Sequence, residues 1–220
     1  YELAVIFKYG IKKMYVDLEN YYYYITVTNE NYIQPAQPKG SEKGIIQGLY
    51  KLIPINKPQV ILIGSGSILN ESIKAQGVLK SIGIISEVWS ATSFNMLRKD
   101  GMETHRYNEM NPSTSPKLSY VEECLPNEQI PVIASTDYMR AYPEQIRKYI
   151  KAPFYTLGTD GYGRSDSRQK LREFFEIDSN NIARAAVYAL FKNNSLTKTE
   201  VLKIYKKLKV NSMKPHPWEV

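Results

Sequence analysis

Short apolar runs, each passing through a small-residue turn into an amphipathic stretch, constrain this chain more than any other feature. Gln59-Val-Ile-Leu-Ile63 is an apolar run of buried-strand type. Gly64-Ser-Gly-Ser67 turns the chain, and Ser67 is placed to cap a helix. On that helix Ile68, Ser72, Ala75 and Leu79 share one face, and Gly83 is placed to end it. Ile84 to Trp89, Pro131 to Ser135 and Phe154 to Leu157 repeat the strand pattern. Helical stretches follow at Phe94 to Arg106, around Leu171, Phe174 and Phe175, and at Ile182, Ala186, Ala189 and Leu190. Thr197-Lys-Thr-Glu200 has the capping-box pattern, and Val201, Leu202, Ile204, Tyr205 and Leu208 form the stripe of a last helix. Strands alternating with helices predict an α/β fold: a three-layer α/β/α domain with a mainly parallel sheet. No internal repeat and no low-complexity tract interrupts the pattern.

The first forty residues read differently. Leu3, Ile6, Phe7, Ile11, Met14 and Tyr15 recur at helical steps. Tyr21-Tyr-Tyr-Tyr-Ile-Thr-Val-Thr28 is aromatic and β-branched throughout, which predicts a strand. Asn29 to Gly44 is polar and stiffened by Pro35 and Pro38, so it reads as a linker. The domain boundary is expected near residues 40 to 50, with 1–45 belonging to a preceding domain and 46–220 forming the sheet domain. The chain opens with Tyr1 rather than methionine, which reads as a fragment boundary.

A chain of 220 residues can bury a sizeable core without disulfides or metals. Its one cysteine, Cys124, provides no staple and no metal-ligand spacing, and reads as a half-buried structural thiol in a reducing compartment. No run resembles a signal peptide or is long enough to span a bilayer, so a cytoplasmic protein without membrane contact is expected. The net charge of +7 raises nucleic acid as a partner. Its location argues against one: Lys192 to Lys214 holds seven lysines against Glu200, a net +6, and no arginine. That run reads as a solvated helix face.

Two glycine-rich turns each follow a strand and open a helix. Gly64 to Ser67 lacks the third glycine of a dinucleotide fingerprint and the lysine of a P-loop, and Glu87 lies inside the next strand rather than at its end. It reads as a structural turn, with a nucleotide-binding α/β domain as an alternative. Leu157-Gly-Thr-Asp-Gly-Tyr-Gly-Arg-Ser-Asp-Ser-Arg168 is richer. Its glycines permit torsions closed to other residues, Ser165 or Asp166 is placed to cap the next helix, and Asp160, Arg164, Asp166 and Arg168 crowd charge together. It is either a rigid loop held by internal salt bridges or a loop packed at a subunit interface near an active site. Asp137, after the third strand, is read as a helix cap or a strand-end residue, with capping preferred. His105 and His216 have no catalytic spacing, and a Gly-Asp-Gly metal signature of thiamine enzymes is absent; Asn29-Glu-Asn31 has no such context. No catalytic, cofactor-binding or metal residue is assigned.

Five stretches carry a resemblance. Tyr22 to Tyr32 resembles the end of the middle, pyrimidine-binding domain of homodimeric pyruvate dehydrogenases. Gly64-Ser-Gly-Ser-Ile68 resembles the first turn of their transketolase-like C-terminal domain. Ala134-Ser-Thr-Asp-Tyr-Met139 and Leu157 to Arg168, with Trp89-Ser-Ala-Thr-Ser-Phe94, resemble its later blocks, so the likeness runs along nearly the whole chain. Where that family often carries a histidine this chain has Ile33, and the position is given no polar role. The resemblance implies an enzyme that uses thiamine diphosphate and Mg²⁺ to decarboxylate pyruvate and acetylate the lipoyl group of dihydrolipoyl acetyltransferase. It implies that the activating glutamate and the metal ligands precede Tyr1, and that this segment serves dimer assembly and the active-site wall, binding no cofactor alone. The implied partners are the remaining domains, the second subunit and the acetyltransferase. A second reading makes the segment a docking module for the acetyltransferase or a regulator, through the lysine-rich last helix.

Overall fold

The structure is a computed structural model describing residues 1–29 and 31–219; Glu30 and Val220 lie outside the described residues. Five strands form one sheet in the order β1-β3-β2-β4-β5, where β1 is Leu49–Ile53, β2 Val60–Ser65, β3 Ser86–Ala91, β4 Val132–Ser135 and β5 Phe154–Leu157. β2 to β5 are parallel, and β1 joins β3 antiparallel with an irregularity between Lys51 and Ile53. The three-layer, mainly parallel α/β expectation holds, with one antiparallel edge strand added.

Period-two alternation along the strands builds two cores. Leu62, Val88 and Ile133 face one side, under α3 (Leu69–Ser81), α8 (Ser179–Lys192) and α9 (Lys198–Lys207). Ile61, Ile63, Trp89 and Ala134 face the other, under α4 (Phe94–Met110) and α5 (Tyr120–Cys124). Gly83 lies just past α3 at φ +84°, and the Thr197–Glu200 capping box of α9 forms as expected. Cys124 is half-buried, and burial raises its thiol pKa. No described helix is long and apolar enough to cross a membrane.

Several local expectations fail. Tyr21 to Thr28 forms no strand and has no ladder partner. Strand composition favours a pleated, half-buried surface, and no neighbouring backbone is offered here. Ser67 does not cap α3; it is buried in the 3-10 turn Gly66–Ile68, and its hydroxyl instead donates to Asp137 Oδ2 at 3.3 Å. Helix α7 (Arg168–Phe174) is capped by neither Ser165 nor Asp166 but by Ser167, whose extended backbone lets Oγ accept from Lys170 N. The lysine run is solvated along α9, where Lys198, Lys203, Lys206 and Lys207 are exposed as expected, but its last member departs from that reading. Lys214 is half-buried and donates to the terminal carbonyls of Glu173 and Phe174 at 2.8 and 2.9 Å, closing α7.

Residues 1–40 form an arm along the sheet. Helix α1 (Glu2–Ile11) continues into a π-helical turn, Lys12–Val16. Glu2 Oε1 accepts from Tyr50 Oη at 2.8 Å and Ser90 Oγ at 2.6 Å, which pins the helix to neighbouring residues of β1 and β3.

Candidate functional site

Parallel register aligns the carboxyl ends of the strands: Ser65 pairs with Ala91, Gly64 with Ser135, and Ser135 with Leu157. The chain leaves β2 over one face through α3 and reaches β3. It leaves β4 toward the other face, where Ile146 and Tyr149 pack, and reaches β5. The two connections diverge between β2 and β4, the position where open α/β sheets form ligand crevices.

A crevice of about 700 Å³ opens there. Its floor is Ile68, Leu171, Phe175 and Ile177. Ser67, Asp137 and Thr159 supply polar atoms, and Thr159 Oγ1 donates to Asp137 O at 2.7 Å. Asp137 therefore sits at the strand-end edge and caps no helix; α6 (Ala141–Glu144) begins only four residues later. Val27, Thr28 and Asn29 from the arm cross the opening. They are held by Tyr138 Oη donating to Thr26 Oγ1 at 2.9 Å and Arg168 Nη2 donating to Asn29 Oδ1 at 2.5 Å.

The Gly158–Arg168 loop forms one rim. Gly158 has no room for a side chain, since a Cβ would stand 2.5 Å from Tyr138 O and 2.7 Å from Arg140 N. Asp160 Oδ1 accepts from Arg140 N at 3.0 Å and Oδ2 lies 3.4 Å from its guanidinium. Gly161 adopts φ +98°, which brings the loop against Trp218. Arg164 lies over the Phe174 ring at 5.5 Å, and Asp166 Oδ1 accepts from Ser167 N at 2.6 Å. The charges of Asp160, Arg164 and Arg168 thus reach outside the loop to Arg140, Phe174 and Asn29. Ser165 is exposed.

Arg172 also faces the crevice and lies 3.5 Å from Glu71 Oε1. Glu71 is buried on α3, accepts from Lys74 Nζ at 2.8 Å and takes Ser179 N at 3.1 Å, so one carboxylate ties α3 to α7 and to the start of α8. Sequence reasoning missed this residue, although an acid inside the amphipathic α3 was a visible signal. The two histidines lie apart: His105 packs edge-on to Tyr149 and His216 stacks on Trp218. Among the described residues no group of three or more His, Cys, Asp or Glu is placed to hold a metal ion. The crevice, with Asp137 as its one carboxylate beside three arginines, does not fit a Mg²⁺–diphosphate site.

Comparison with known proteins agrees with this architecture. Residues 48–178 match the transketolase-like C-terminal domain model, and residues 1–35 match the middle domain of the pyruvate dehydrogenase E1 component. The pyruvate dehydrogenase E1 component of Pseudomonas aeruginosa is 48% identical, over 99% of this chain and 25% of the relative. Those of Cupriavidus necator and Escherichia coli K12 are 42% and 43% identical, over 100% and 99% of this chain and 25% of each relative. The chain spans about a quarter of the length of these curated relatives. Among solved structures, a transketolase from Pichia stipitis superposes with TM-score 0.54 at 21% identity, over 72% of this chain and 20% of that one, which supports the fold alone. With both family models matched in sequence order and the relatives aligned along its whole length, the chain belongs to the pyruvate dehydrogenase E1 component family, as a C-terminal portion.

Proposed function

We propose that this chain supports the active-site wall and the dimer of a thiamine-diphosphate-dependent enzyme that decarboxylates pyruvate and reductively acetylates the lipoyl group of dihydrolipoyl acetyltransferase. In this reading residues 1–45 close the preceding pyrimidine-binding domain and 46–220 form the transketolase-like domain. Bound thiamine diphosphate with Mg²⁺ would supply the electron sink for decarboxylation. The residues of this chain position and enclose rather than react, and the 220-residue chain is inactive alone.

The observation that carries the reading is the Gly158–Arg168 loop. It stands at the carboxyl edge of the sheet, hydrogen-bonded through Arg168 to Asn29 of the arm, with Tyr162 87% exposed at its tip. An exposed tyrosine on a loop anchored by Gly158 and Asp160 is suited to insertion into a second subunit or domain. In the full-length enzyme Arg164→Ala is expected to weaken dimerisation or cofactor retention by roughly five- to tenfold, as loss of one charge-assisted contact does. Sedimentation of the dimer and thiamine diphosphate titration would read it, and unchanged dimer affinity, cofactor affinity and turnover would remove the loop from the reading. The isolated chain, given pyruvate, thiamine diphosphate and Mg²⁺, should release no CO₂; turnover by it would overturn the assignment of a supporting role.

A second reading rests on helix α9. Lys198, Lys203, Lys206 and Lys207 are exposed around Leu202, itself 59% exposed. That surface suits docking of the acetyltransferase or a regulator. Capture of the acetyltransferase by this chain, lost at high salt, would favour it.

A further inference from the structure

We propose that the crevice between the carboxyl ends of β2 and β4 binds a phosphate-bearing small molecule of nucleotide size, with its phosphate at the arginine rim and its ring or apolar body on the floor. This goes beyond the supporting role of the loop and does not depend on it.

Position and shape are the first argument. The crevice lies at the switch point of the sheet, its volume of about 700 Å³ is that of a small-molecule site, and it combines an apolar floor with a few polar groups at one end. Ile68, Phe175 and Ile177 are buried in the core beneath it, so the floor is rigid.

Charge is the second argument. Arg164, Arg168 and Arg172 line the crevice, where Asp137 is the one acidic lining residue and the buried Glu71 pairs with Arg172 from α3, so Arg164 carries the exposed positive charge of the rim. Arg168 and Arg172 are oriented by Asn29 and Glu71, which fixes their guanidinium planes before a ligand arrives. Arg164 stands exposed above Phe174, at the mouth. Gly163 lines the same rim with nothing within 4 Å of where a Cβ would stand, so the backbone there is open to an anion.

The third argument separates this site from the glycine turn after β2. A Cβ on Gly64 would stand 2.5 Å from Leu69 Cα and 2.8 Å from Ser72 Oγ, so that glycine serves close helix packing. The Ser67 hydroxyl is turned to Asp137. The phosphate is therefore read by the β5 loop and α7, across the crevice from the turn that carries nucleotide phosphates in dinucleotide-binding folds.

ADP, adenosine and inorganic phosphate titrated calorimetrically into the 220-residue chain and into the full-length protein test this. Saturable ADP binding at one site per chain is expected in both, with adenosine and inorganic phosphate each at least tenfold weaker. Arg164→Ala should weaken ADP binding about fivefold. Asp137→Asn keeps an acceptor for Ser67 and removes the one negative charge, so it should tighten ADP binding. A purely structural role would make both variants weaken it. Sedimentation of the same samples separates ligand binding from any change in the dimer. The proposal is overturned by absence of saturable ADP binding in either protein, by adenosine or phosphate matching ADP, or by the two variants failing to shift affinity in opposite directions.

Discussion

The arm and the sheet domain are built by different means. Among the described residues of 1–40 only Gly10 is buried, packed against the Tyr23 ring, and Tyr22, Tyr24 and Ile33 stand almost fully in solvent. Residues from Ile45 to Val201 bury two apolar clusters, one on each face of the sheet. The arm is held by Tyr1, Val5 and Ile6 at the edge of the first cluster and by polar contacts at a few points: Glu2 on Tyr50 and Ser90, Thr26 on Tyr138, Asn29 on Arg168. The arm buries little apolar surface, and residues 1–35 match the middle-domain model of the family while residues 48–178 match the transketolase-like one. The difference teaches that the buried apolar surface of this chain, and with it the stability, is concentrated in the sheet domain.

Four measurements break or sharpen that contrast. Leu62→Ala, at a fully buried position of β2, should cost about 3–4 kcal/mol in the isolated chain, read by urea unfolding. A loss below about 1 kcal/mol would mean the central strand is not where the stability resides.

Deleting residues 1–40 comes next. It removes the partly buried Tyr1, Val5 and Ile6 from the edge of the first cluster and should cost about 2 kcal/mol, leaving a cooperative unfolding transition. If the remainder lost its transition, arm and domain would be one folding unit.

Tyr50→Phe probes the joint between them. Burial, with the Tyr1 hydroxyl 2.5 Å away and Glu2 beside it, holds the Tyr50 phenol pKa above its ordinary value. The contribution of that shift is fully present below about pH 10, where the unfolded phenol is also protonated. It is lost as pH rises further, because the unfolded chain releases its proton first. Tyr50→Phe should cost about 1 kcal/mol at pH 8 and flatten the decline above pH 10. Parallel stability curves for the two proteins would show that this hydroxyl does not titrate with unfolding.

The smallest effect is expected from Tyr22→Ser and Tyr24→Ser together, whose side chains are 86% and 89% exposed. In the isolated chain they should shift stability by no more than about 0.5 kcal/mol. In the full-length protein a larger loss is expected, because the preceding domain would cover them. Equal effects in the two settings would leave the tyrosines without that neighbour.

Much of the domain was legible because strands that face helices on both sides are apolar throughout. Val60 to Ile63 and Val132 to Ala134 could be read without knowing their partners. Leu49 to Ile53 was passed over: it is an edge strand interrupted by Lys51 and terminated by Pro54, too short to show a period. Tyr21 to Thr28 failed in the opposite sense. Its composition favours a strand, yet strand formation needs a second backbone at ladder distance, and no local pattern supplies one.

The candidate site divides along the same line. Glycine and charge density marked the Gly158–Arg168 loop from residue types alone, and parallel topology assigned it to the carboxyl edge. The link of Ser67 to Asp137 across 70 residues, the tie of Glu71 to Arg172 and Ser179, and the arm crossing at Val27 to Asn29 join segments far apart in the chain. The sequence by itself determined the layered α/β architecture, the capping of α9 and the family, because each rests on local period, turn chemistry or contiguous motifs. Only the tertiary structure decided which cap, acid or aromatic run found a partner, because a hydrogen bond or a ladder is made between two surfaces, and one segment describes only one of them.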